Sequence, residues 1–287
     1  MDKKVCFLVV IYGKDFWDSS TFLSLEKYSK YKEIEVYIHN NGPNSLINSF
    51  NSNSERFYNF KKISFFENLN NQSLSSIYNF FIDKTMLYDR RVILDDDTVL
   101  NDSFISKIFD LAYYDLELPK IFEITNNKQY FPLLSNEILL YERDISDIGG
   151  GVILSAGSGL VISKKIVDIF VQEKLSLFDQ NFFLYGVDYS FFLRLYKIQK
   201  KKKYKLIIHS ESTILHNMSQ NQKIESWRQF ELHINDILLF RHYPSFLTFV
   251  KFVKLIFVKI QKIQIFSLLN LILILVIGRH PKVNHEN

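Results

Sequence analysis

The sequence has few cysteines, glycines and prolines, and these shortages limit what the chain can be. It contains one cysteine, nine glycines and five prolines among 287 residues. A single thiol cannot build a disulfide framework, so we expect Cys6, inside an apolar run, to be an inert buried thiol in a reducing compartment. Hydrophobic residues make up 47% of the chain and aromatic residues 16%, which excludes a disordered protein. We therefore expect one large domain, or one domain with an appendage.

The start of the sequence and its charge indicate location and partners. The first apolar run is too short and too strand-like for a signal peptide, so we expect a cytoplasmic protein. The formal net charge is +4, but the stretch from Phe246 onward holds six Lys and Arg residues and one acid. The first 245 residues therefore carry a net charge of about −1. This asymmetry predicts an anionic partner for the tail and argues against nucleic-acid binding by the body.

Short apolar runs alternate with helical patterns in the first hundred residues. The runs typical of buried strands cover residues 4–12, 33–39, 63–66 and 92–94, and the helical patterns cover residues 21–31 and 73–88. Strands that alternate with helices form a parallel sheet with right-handed crossovers. We therefore predict an α/β fold with a mostly parallel central sheet. Beyond residue 100, the patterns predict helices over 102–113, 164–173 and from 227 to Pro244, and strands over 120–124, 137–141, 160–162 and 204–209.

Three consecutive carboxylates, those of Asp95, Asp96 and Asp97, follow the fourth strand-like run. The ligand crevice of a parallel sheet lies at the carboxyl ends of its strands, so these acids should sit at the mouth of a site. Adjacent acids repel one another, and a hard divalent cation with a preference for carboxylate oxygen would remove that repulsion. The alternative is a solvated acidic turn. The other side chains expected at this edge are those of Tyr12, Asn41 and Asn71.

Asp188 is a lone acid in the most aromatic part of the chain. A carboxylate among Phe and Tyr side chains is desolvated, which raises its pKa and makes it a better base. The alternative is an acid that stabilises the N-terminus of the helix that follows it. His216 lies near the end of a later strand-like run, where a single histidine is more often structural than a ligand.

Together these motifs resemble the inverting GT-A glycosyltransferases of family 2 over roughly residues 4–245. The matching stretches are residues 10–14, 39–42, 94–98, 157–159 and 179–194. The sequence departs from the family pattern at Asn40, which stands where the family has Asp, and at Ser73, which stands where it has Gly. Val187 and Asp188 replace the more common Glu-Asp pair, and this version is found among rhamnosyltransferase-like relatives.

The resemblance implies a role for each matching residue. It implies that Asp188 is the catalytic base, and that Mn²⁺ or Mg²⁺ is bound by Asp95, Asp97 and His216. The residues implied for nucleotide-sugar binding are Tyr12, Asn41, Asn71, Asp95, Asp96 and Arg228. Those implied for acceptor binding are Gly157, Ser158, Tyr185 and Trp227.

The resemblance also implies a reaction. An enzyme of this kind would move a sugar from a nucleotide-diphosphate donor, dTDP-rhamnose or a UDP-sugar, to a saccharide acceptor. The acceptor would be lipid-linked, in the synthesis of a bacterial O-antigen, capsule or cell-wall polysaccharide. Two alternatives remain from the residues themselves: a nucleotidyltransferase, and a non-catalytic protein that binds nucleotide or carbohydrate.

The tail after residue 245 is the most apolar part of the chain. We divide the chain into a GT-A catalytic domain (1–245), with nucleotide-sugar-binding (1–100) and acceptor-binding (101–245) halves, and a helical tail (246–287). On a helix, the lysines of the tail fall within an arc of roughly 140°, and a set of apolar residues lies largely opposite. The lysines are Lys251, Lys254, Lys259 and Lys262, and the apolar residues are Phe252, Ile256, Phe257 and Ile260.

This amphipathic pattern suits a helix that lies in a membrane interface against anionic lipid. The segment 263–277 has about 15 residues where a spanning helix needs about 20, so we expect it to lie in the plane of the membrane or to re-enter it. The protein would then be peripheral on the cytoplasmic face of the inner or plasma membrane. The alternative is a helical pair that packs on the catalytic domain or in a homo-oligomer.

Overall fold

The structure is a computed structural model that describes residues 3–30, 32–140, 151–202, 204–217, 225–261 and 265–285. The strands in these residues are β1 (Val5–Ile11), β2 (Glu35–Asn40), β3 (Lys62–Glu67), β4 (Arg90–Asp95), β5 (Thr98–Leu100), β6 (Leu116–Glu117), β7 (Lys120–Glu123), β8 (Gln129–Phe131), β9 (Leu133–Leu134), β10 (Glu137–Ile138), β11 (Ile153–Leu154), β12 (Leu160–Ser163), β13 (Ile208–His209) and β14 (Thr213–His216). The α-helices are α1 (Ser20–Ser29), α2 (Ile47–Ser52), α3 (Leu74–Lys84), α4 (Asp102–Phe109), α5 (Lys164–Gln172), α6 (Val187–Lys202), α7 (Ser226–His242), α8 (Phe246–Gln261) and α9 (Ile265–Ile277).

The central sheet has seven strands in the order β13-β6-β12-β4-β1-β2-β3. Strands β1 to β4 are parallel, whereas β12 runs antiparallel to β4. Strand β1 is buried along its whole length, with Phe7 and Val9 in one apolar layer and Cys6 and Leu8 in the other. This two-sided burial explains its unbroken apolar run. The predicted α/β class is therefore confirmed.

Cys6 is fully buried in this strand, and burial raises the pKa of its thiol. A thiol with a raised pKa is seldom ionised at neutral pH and is a poor nucleophile. The structure thus agrees with the prediction of an inert cysteine.

Two small sheets accompany the central sheet and were not predicted. One has the strand order β5-β14-β7-β8 and the other the order β10-β9-β11. Strands of two to four residues carry too few side chains to show a period of two, which is why their pairing cannot be read from the sequence. The first small sheet matters for the site, because it pairs the strand after the acidic turn with the strand that ends in His216.

The predicted element boundaries are wrong in places. The helix predicted over 102–113 ends at Phe109, where the buried guanidinium of Arg90 donates to the carbonyl oxygens of Ile108 (2.5 Å) and Asp110 (2.7 Å). The strand predicted over 204–209 is limited to β13, and the one predicted over 137–141 to β10; residue 141 lies outside the described residues.

The segment between α5 and α6 is anchored by a buried ion pair. Asp179 accepts hydrogen bonds from the hydroxyl of Tyr243 at 2.6 Å and lies 3.0 Å from the guanidinium of Arg194. Asn79 on α3 holds the same segment through both backbone groups of Phe178, at 2.8 and 3.1 Å. These contacts fix the loop that leads into Asp188.

The tail helices α8 and α9 contact each other and pack on α7. One of the described lysines of the predicted arc, Lys259, is buried, on the same side of α8 as Leu255. Phe252 and Ile256, predicted to lie on the opposite face, are half-buried, and Phe252 stacks on Phe240 of α7 at 4.5 Å. Lys262 lies outside the described residues. Among the helices that the structure describes, none is both long and apolar enough to cross a membrane.

We predict that Asp179→Ala lowers the free energy of unfolding by about 3–5 kcal/mol, because it leaves the guanidinium of Arg194, whose side chain is only 15% exposed, without its counter-ion. Asp168→Ala is the matched control, since Asp168 pairs with Lys164 on the exposed surface, and its loss should cost less than about 1 kcal/mol. Urea denaturation measures both values. Equal and small losses in the two variants would show that the buried pair does not anchor this segment.

Candidate active site

The acidic turn between β4 and β5 is held by the N-terminus of α1. The hydroxyl of Thr21 donates to the carbonyl oxygens of Asp95 (2.5 Å) and Thr98 (3.1 Å). The hydroxyl of Ser19 donates to the carbonyl oxygen of Asp96 at 2.8 Å. Since these carbonyl groups find partners in the protein, the backbone of the turn is fixed and the three carboxylates project from a defined frame.

The three carboxylates have different surroundings. Asp96 is paired with the ammonium group of Lys14 at 2.7 Å and accepts from the backbone N–H of Tyr12 at 3.2 Å. Asp95 lies 3.3 Å from the hydroxyl of Tyr78, which donates to it. The charge of Asp96 is thus balanced within the chain, whereas Asp95 and Asp97 face His216.

His216 reaches the acidic turn because β14 pairs with β5, which places it opposite Thr98. Its Nδ1 lies 3.0 Å from the Thr98 hydroxyl and 3.1 Å from Oδ1 of Asp97, and its Nε2 lies 4.0 Å from Oδ2 of Asp95. Oδ1 of Asp97 is buried and makes no hydrogen bond. The structure therefore brings together the three residues that were predicted to bind a metal, and leaves one buried oxygen without a hydrogen bond.

The electrostatics of this cluster favour a cation. Burial raises the pKa of Asp95 to about 6; His216 opposes the shift, and the neighbouring carboxylates add to it. Burial also raises the pKa of Asp97, again against the effect of His216. Two carboxyl groups that resist ionisation side by side would both ionise readily beside a divalent ion.

The donor set fits Mg²⁺ or Mn²⁺, both of which accept carboxylate oxygen. Within the described ranges, however, no three acidic, histidine or cysteine side chains form a ready-made metal centre. This agrees with the way Mg²⁺ is commonly held in nucleotide enzymes, by one or two carboxylates together with water and substrate phosphates. Asp95 and Asp97 would supply the protein's part of such a site.

Asp188 lies in the first turn of α6, half-buried against the end of the acidic cluster. Burial raises its pKa to about 6, while the backbone N–H groups of Tyr189 and Gly157 oppose the shift. The N–H of Tyr189 donates to Oδ1 of Asp188 at 2.9 Å. Asp188 is desolvated, as predicted. It also lies at the N-terminus of a helix, which was the alternative explanation for an acid at this position. A carboxylate with a pKa near neutrality is suited to accept a proton.

Tyr78 lies near both the acidic cluster and Asp188, and its position was not predicted from the sequence. Its buried hydroxyl donates to Asp95, and burial raises its pKa, as do the carboxylates of Asp95 and Asp188. A side chain added at Gly157 would meet this hydroxyl at 3.4 Å and Cβ of Asp188 at 3.8 Å. Tyr78 lies on the buried face of α3 among ordinary core residues, so no signal in the helical pattern sets it apart.

Asn41 and Asn71 meet at the same edge of the sheet as Tyr12, as predicted. The side-chain amide of Asn41 donates to Oδ1 of Asn71 (3.3 Å) and to the carbonyl of Gln72 (2.9 Å). Tyr12 is half-exposed at the mouth of the site. Their contacts with a nucleotide stay predictions, as does that of Asp96, which the structure pairs with Lys14.

The predicted acceptor-binding residues differ in where they lie relative to Asp188. Gly157 lies beside Asp188, and Tyr185 is half-buried three residues before it. Ser158 is fully buried, with its hydroxyl 3.0 Å from the N–H of Asp95 and 2.6 Å from the hydroxyl of Thr98. It therefore supports the acidic turn, and its role in acceptor binding stays a prediction.

Trp227 and Arg228 lie in the first turn of α7. The indole ring of Trp227 is half-exposed, with the guanidinium of Arg228 5.5 Å from its centre. The segment before this helix, residues 218–224, lies outside the described residues. The predicted roles of Trp227 in acceptor binding and of Arg228 in donor binding stay predictions.

Comparison with solved structures identifies the fold. The chain resembles S. aureus TarS 1–349 in complex with UDP-GlcNAc with a TM-score of 0.52 and 12% identity, over 82% of this chain and 66% of that one. It resembles GalNAc-T7 with UDP, GalNAc and Mn²⁺ with a TM-score of 0.52 and 12% identity, over 85% of this chain and 51% of that one. These proteins are GT-A-type glycosyltransferases, and the predicted GT-A fold is confirmed.

The likeness extends to the fold and not to the full length of these proteins. The chain spans about two thirds of the TarS fragment and half of GalNAc-T7. No sequence-family model matches the chain, and no curated protein matches it by sequence.

We predict that Asp188→Asn raises the melting temperature at pH 7.5 in EDTA. An aspartate in an unfolded chain has a pKa of about 4, so between about pH 4 and 6 the folded state binds the extra proton. Stability from this group therefore falls as pH rises through that window, and the amide removes the penalty above it. Calorimetry from pH 4 to 8 measures the effect, which should disappear near pH 4. Asp83→Asn, at an exposed position of α3, is the control and should show no such dependence. A variant that is less stable than the native protein at every pH would contradict the assignment.

Proposed function

We propose that this protein is an inverting glycosyltransferase that moves a sugar from a nucleotide-diphosphate donor to a saccharide acceptor. One observation carries the proposal: within a GT-A fold, the acidic cluster at the end of β4 and the lone carboxylate of Asp188 lie close together, since Tyr78 is 3.3 Å from Asp95 and both Tyr78 and Asp188 border Gly157. The cluster suits a cation and a diphosphate, and Asp188 suits a proton acceptor. A sugar placed between them would have its leaving group on one side and its attacking hydroxyl on the other.

On the donor side, negative charge grows on the diphosphate as the glycosidic bond breaks. Asp95 and Asp97 would hold Mn²⁺ or Mg²⁺, with His216 beside them, and the buried oxygen of Asp97 that makes no hydrogen bond supports this assignment. When bound, such an ion supplies Lewis-acid neutralisation of the leaving diphosphate. Arg228 would hold a phosphate oxygen by charge-assisted hydrogen bonds. Tyr12, Asn41, Asn71 and Asp96 would contact the nucleotide.

On the acceptor side, Asp188 accepts the proton of the attacking hydroxyl. The acceptor oxygen forms its bond to the anomeric carbon while the bond to the diphosphate oxygen breaks. One displacement on the face opposite the leaving group inverts the anomeric configuration, and no covalent intermediate is needed. Gly157, Tyr185 and Trp227 would shape the acceptor site.

The proposal also covers the donor sugar, the acceptor and the location of the enzyme. The Val187-Asp188 pair favours dTDP-rhamnose, while a UDP-sugar is the other candidate; the TarS structure holds UDP-GlcNAc and the GalNAc-T7 structure holds UDP. The acceptor would be a lipid-linked saccharide in the synthesis of a bacterial surface polysaccharide. The basic apolar tail supports this, because it suits an enzyme that works on the cytoplasmic face of a membrane.

The first test concerns the base. Asp188→Asn should lower the turnover rate by about 10²–10⁴-fold, because the positioned proton acceptor is lost. The variant should still be stabilised by metal and nucleotide, since the donor cluster is intact. Asp83→Asn controls for loss of a carboxylate at an exposed site. Radiolabelled sugar transfer measures the rate, and transfer near the native rate would remove Asp188 from the mechanism.

The second test concerns the donor. UDP, dTDP, GDP and CMP are each added with Mn²⁺, Mg²⁺ or EDTA, and the melting temperature is recorded. A nucleotide at 100 times its dissociation constant should stabilise the fold by about 2.7 kcal/mol. The gain should require a divalent ion and should vanish in Asp97→Asn. Stabilisation by dTDP would favour rhamnose, and stabilisation by UDP a hexose or galactofuranose donor. No gain with any nucleotide would overturn the donor site and favour a non-catalytic protein.

A further inference from the structure

The outward faces of α8 and α9 expose an unusual amount of apolar surface. We define the tail surface by Phe246, Val253, Phe257 and Ile260 on α8 and by Leu273 and Val276 on α9, whose exposed fractions range from 46% to 80%. Single exposed apolar residues are ordinary, but large side chains gathered on neighbouring helices mark an interaction surface. The sugar-transfer step itself makes no use of this surface.

The opposite sides of both helices are already packed. Leu255 on α8 and Leu271 and Ile274 on α9 are buried, and Phe252 stacks on Phe240 of α7. The tail is therefore folded onto the protein, and the exposed face is what remains after that packing. A partner for the tail surface must come from outside the described part of the chain.

The charges around the tail surface identify the kind of partner. Lys251 and Lys254 are exposed on α8, and Arg279 and Lys282 are exposed just after α9. From Phe246 onward the sequence has a single acid, at Glu286. An apolar face with a basic border matches an anionic lipid surface, where acyl chains receive the apolar side chains and headgroups receive the lysines. A second copy seated on the same face would place both basic borders in one interface, because a two-fold interface uses the same surface patch of both subunits.

The length of the helices favours an orientation in the membrane plane. The 13 residues of α9 span about 20 Å, less than the roughly 30 Å of a hydrocarbon core. We propose that the tail surface docks in the interface of an anionic bilayer, with α8 and α9 lying in its plane.

The chain after α9 links this surface to the catalytic loop. The backbone N–H of His280 donates to the carbonyl of Asn181 at 3.0 Å, and its ring stacks on Phe183 at 5.0 Å. Its Nε2 lies 2.8 Å from Glu231 of α7, which also pairs with Lys282 at 3.0 Å. Asn181 and Phe183 belong to the loop that leads into Asp188. A docked bilayer would thus have a fixed orientation to the base, as a lipid-linked acceptor requires; this last step, unlike docking itself, rests on the proposed function.

Vesicle flotation of the full-length protein tests the docking. The vesicles contain phosphatidylcholine alone or phosphatidylcholine mixed with phosphatidylglycerol, and no donor is added. The native protein should float with the anionic vesicles only. Phe257→Glu combined with Leu273→Glu should weaken this binding at least about tenfold, because each substitution puts a charge into the apolar contact. Lys251→Glu combined with Lys254→Glu should remove the preference for anionic lipid.

The matched control is Leu87→Glu combined with Leu111→Glu, two apolar positions exposed by 83% and 70% on the body of the protein. It should float like the native protein, and melting temperatures show that every variant is folded. Failure of the native protein to float would overturn the proposal, as would equal binding to both vesicle types. Light scattering without lipid provides a further check, since a dimer that Phe257→Glu dissociates would assign the surface to a second copy. None of these readouts involves nucleotide binding, so the proposed reaction stands or falls separately.

Discussion

The site depends on keeping three neighbouring carboxylates in place at the end of one buried strand. The negative charge of each acid is offset by a different neighbour: Lys14 beside Asp96, His216 beside Asp97, and the Tyr78 hydroxyl beside Asp95. The backbone of the turn is fixed by hydrogen bonds from the hydroxyl groups of Ser19 and Thr21 at the N-terminus of α1. Because only Asp96 has a full counter-charge within hydrogen-bond distance, the remaining negative charge is directed to one place. In the proposed function, that imbalance would give the cleft its affinity for a cation and, with it, for phosphate.

The sequence predicted those features that local pattern controls. The unbroken apolar run of β1 indicates burial on both faces, and the position of the acids after β4 follows from the rule that sites lie at the carboxyl ends of strands. The contacts of Tyr78, Lys14 and Ser158 with the acidic turn could not be predicted, because they join positions that are 17, 82 and 63 residues apart in the chain. Tyr78 looks like an ordinary core residue, and Lys14 like an ordinary surface lysine. The tail shows the same limit: helical periodicity predicts the lysines on one arc, but it does not predict that Lys259 is buried in the folded tail.

The glycosyltransferase proposal and the membrane proposal rest on separate parts of the molecule. One is built on the carboxylates and the GT-A fold, and the other on an apolar surface with a basic border. They meet at the loop before α6, which contacts the returning C-terminal segment through Asn181 and leads into Asp188, the proposed base, seven residues later. The ion pair of Asp179 and Arg194 also holds this loop, so the loop is fixed at a second point along its length.

Helix α3 has a consequence for how such an enzyme could change its donor. Tyr78 touches the acidic cluster, while its neighbour Asn79 holds Phe178, and Ser75 donates to the carbonyl of Phe182 at 2.7 Å. One short helix therefore contacts both the acidic cluster and the segment that leads to Asp188. In the proposed enzyme, a larger or smaller sugar would not be accommodated by a shift of Asp188, because such a shift would disrupt these buried contacts. Variation in sugar size would instead fall to the walls of the cleft, and the distance between the cation site and the base would stay constant.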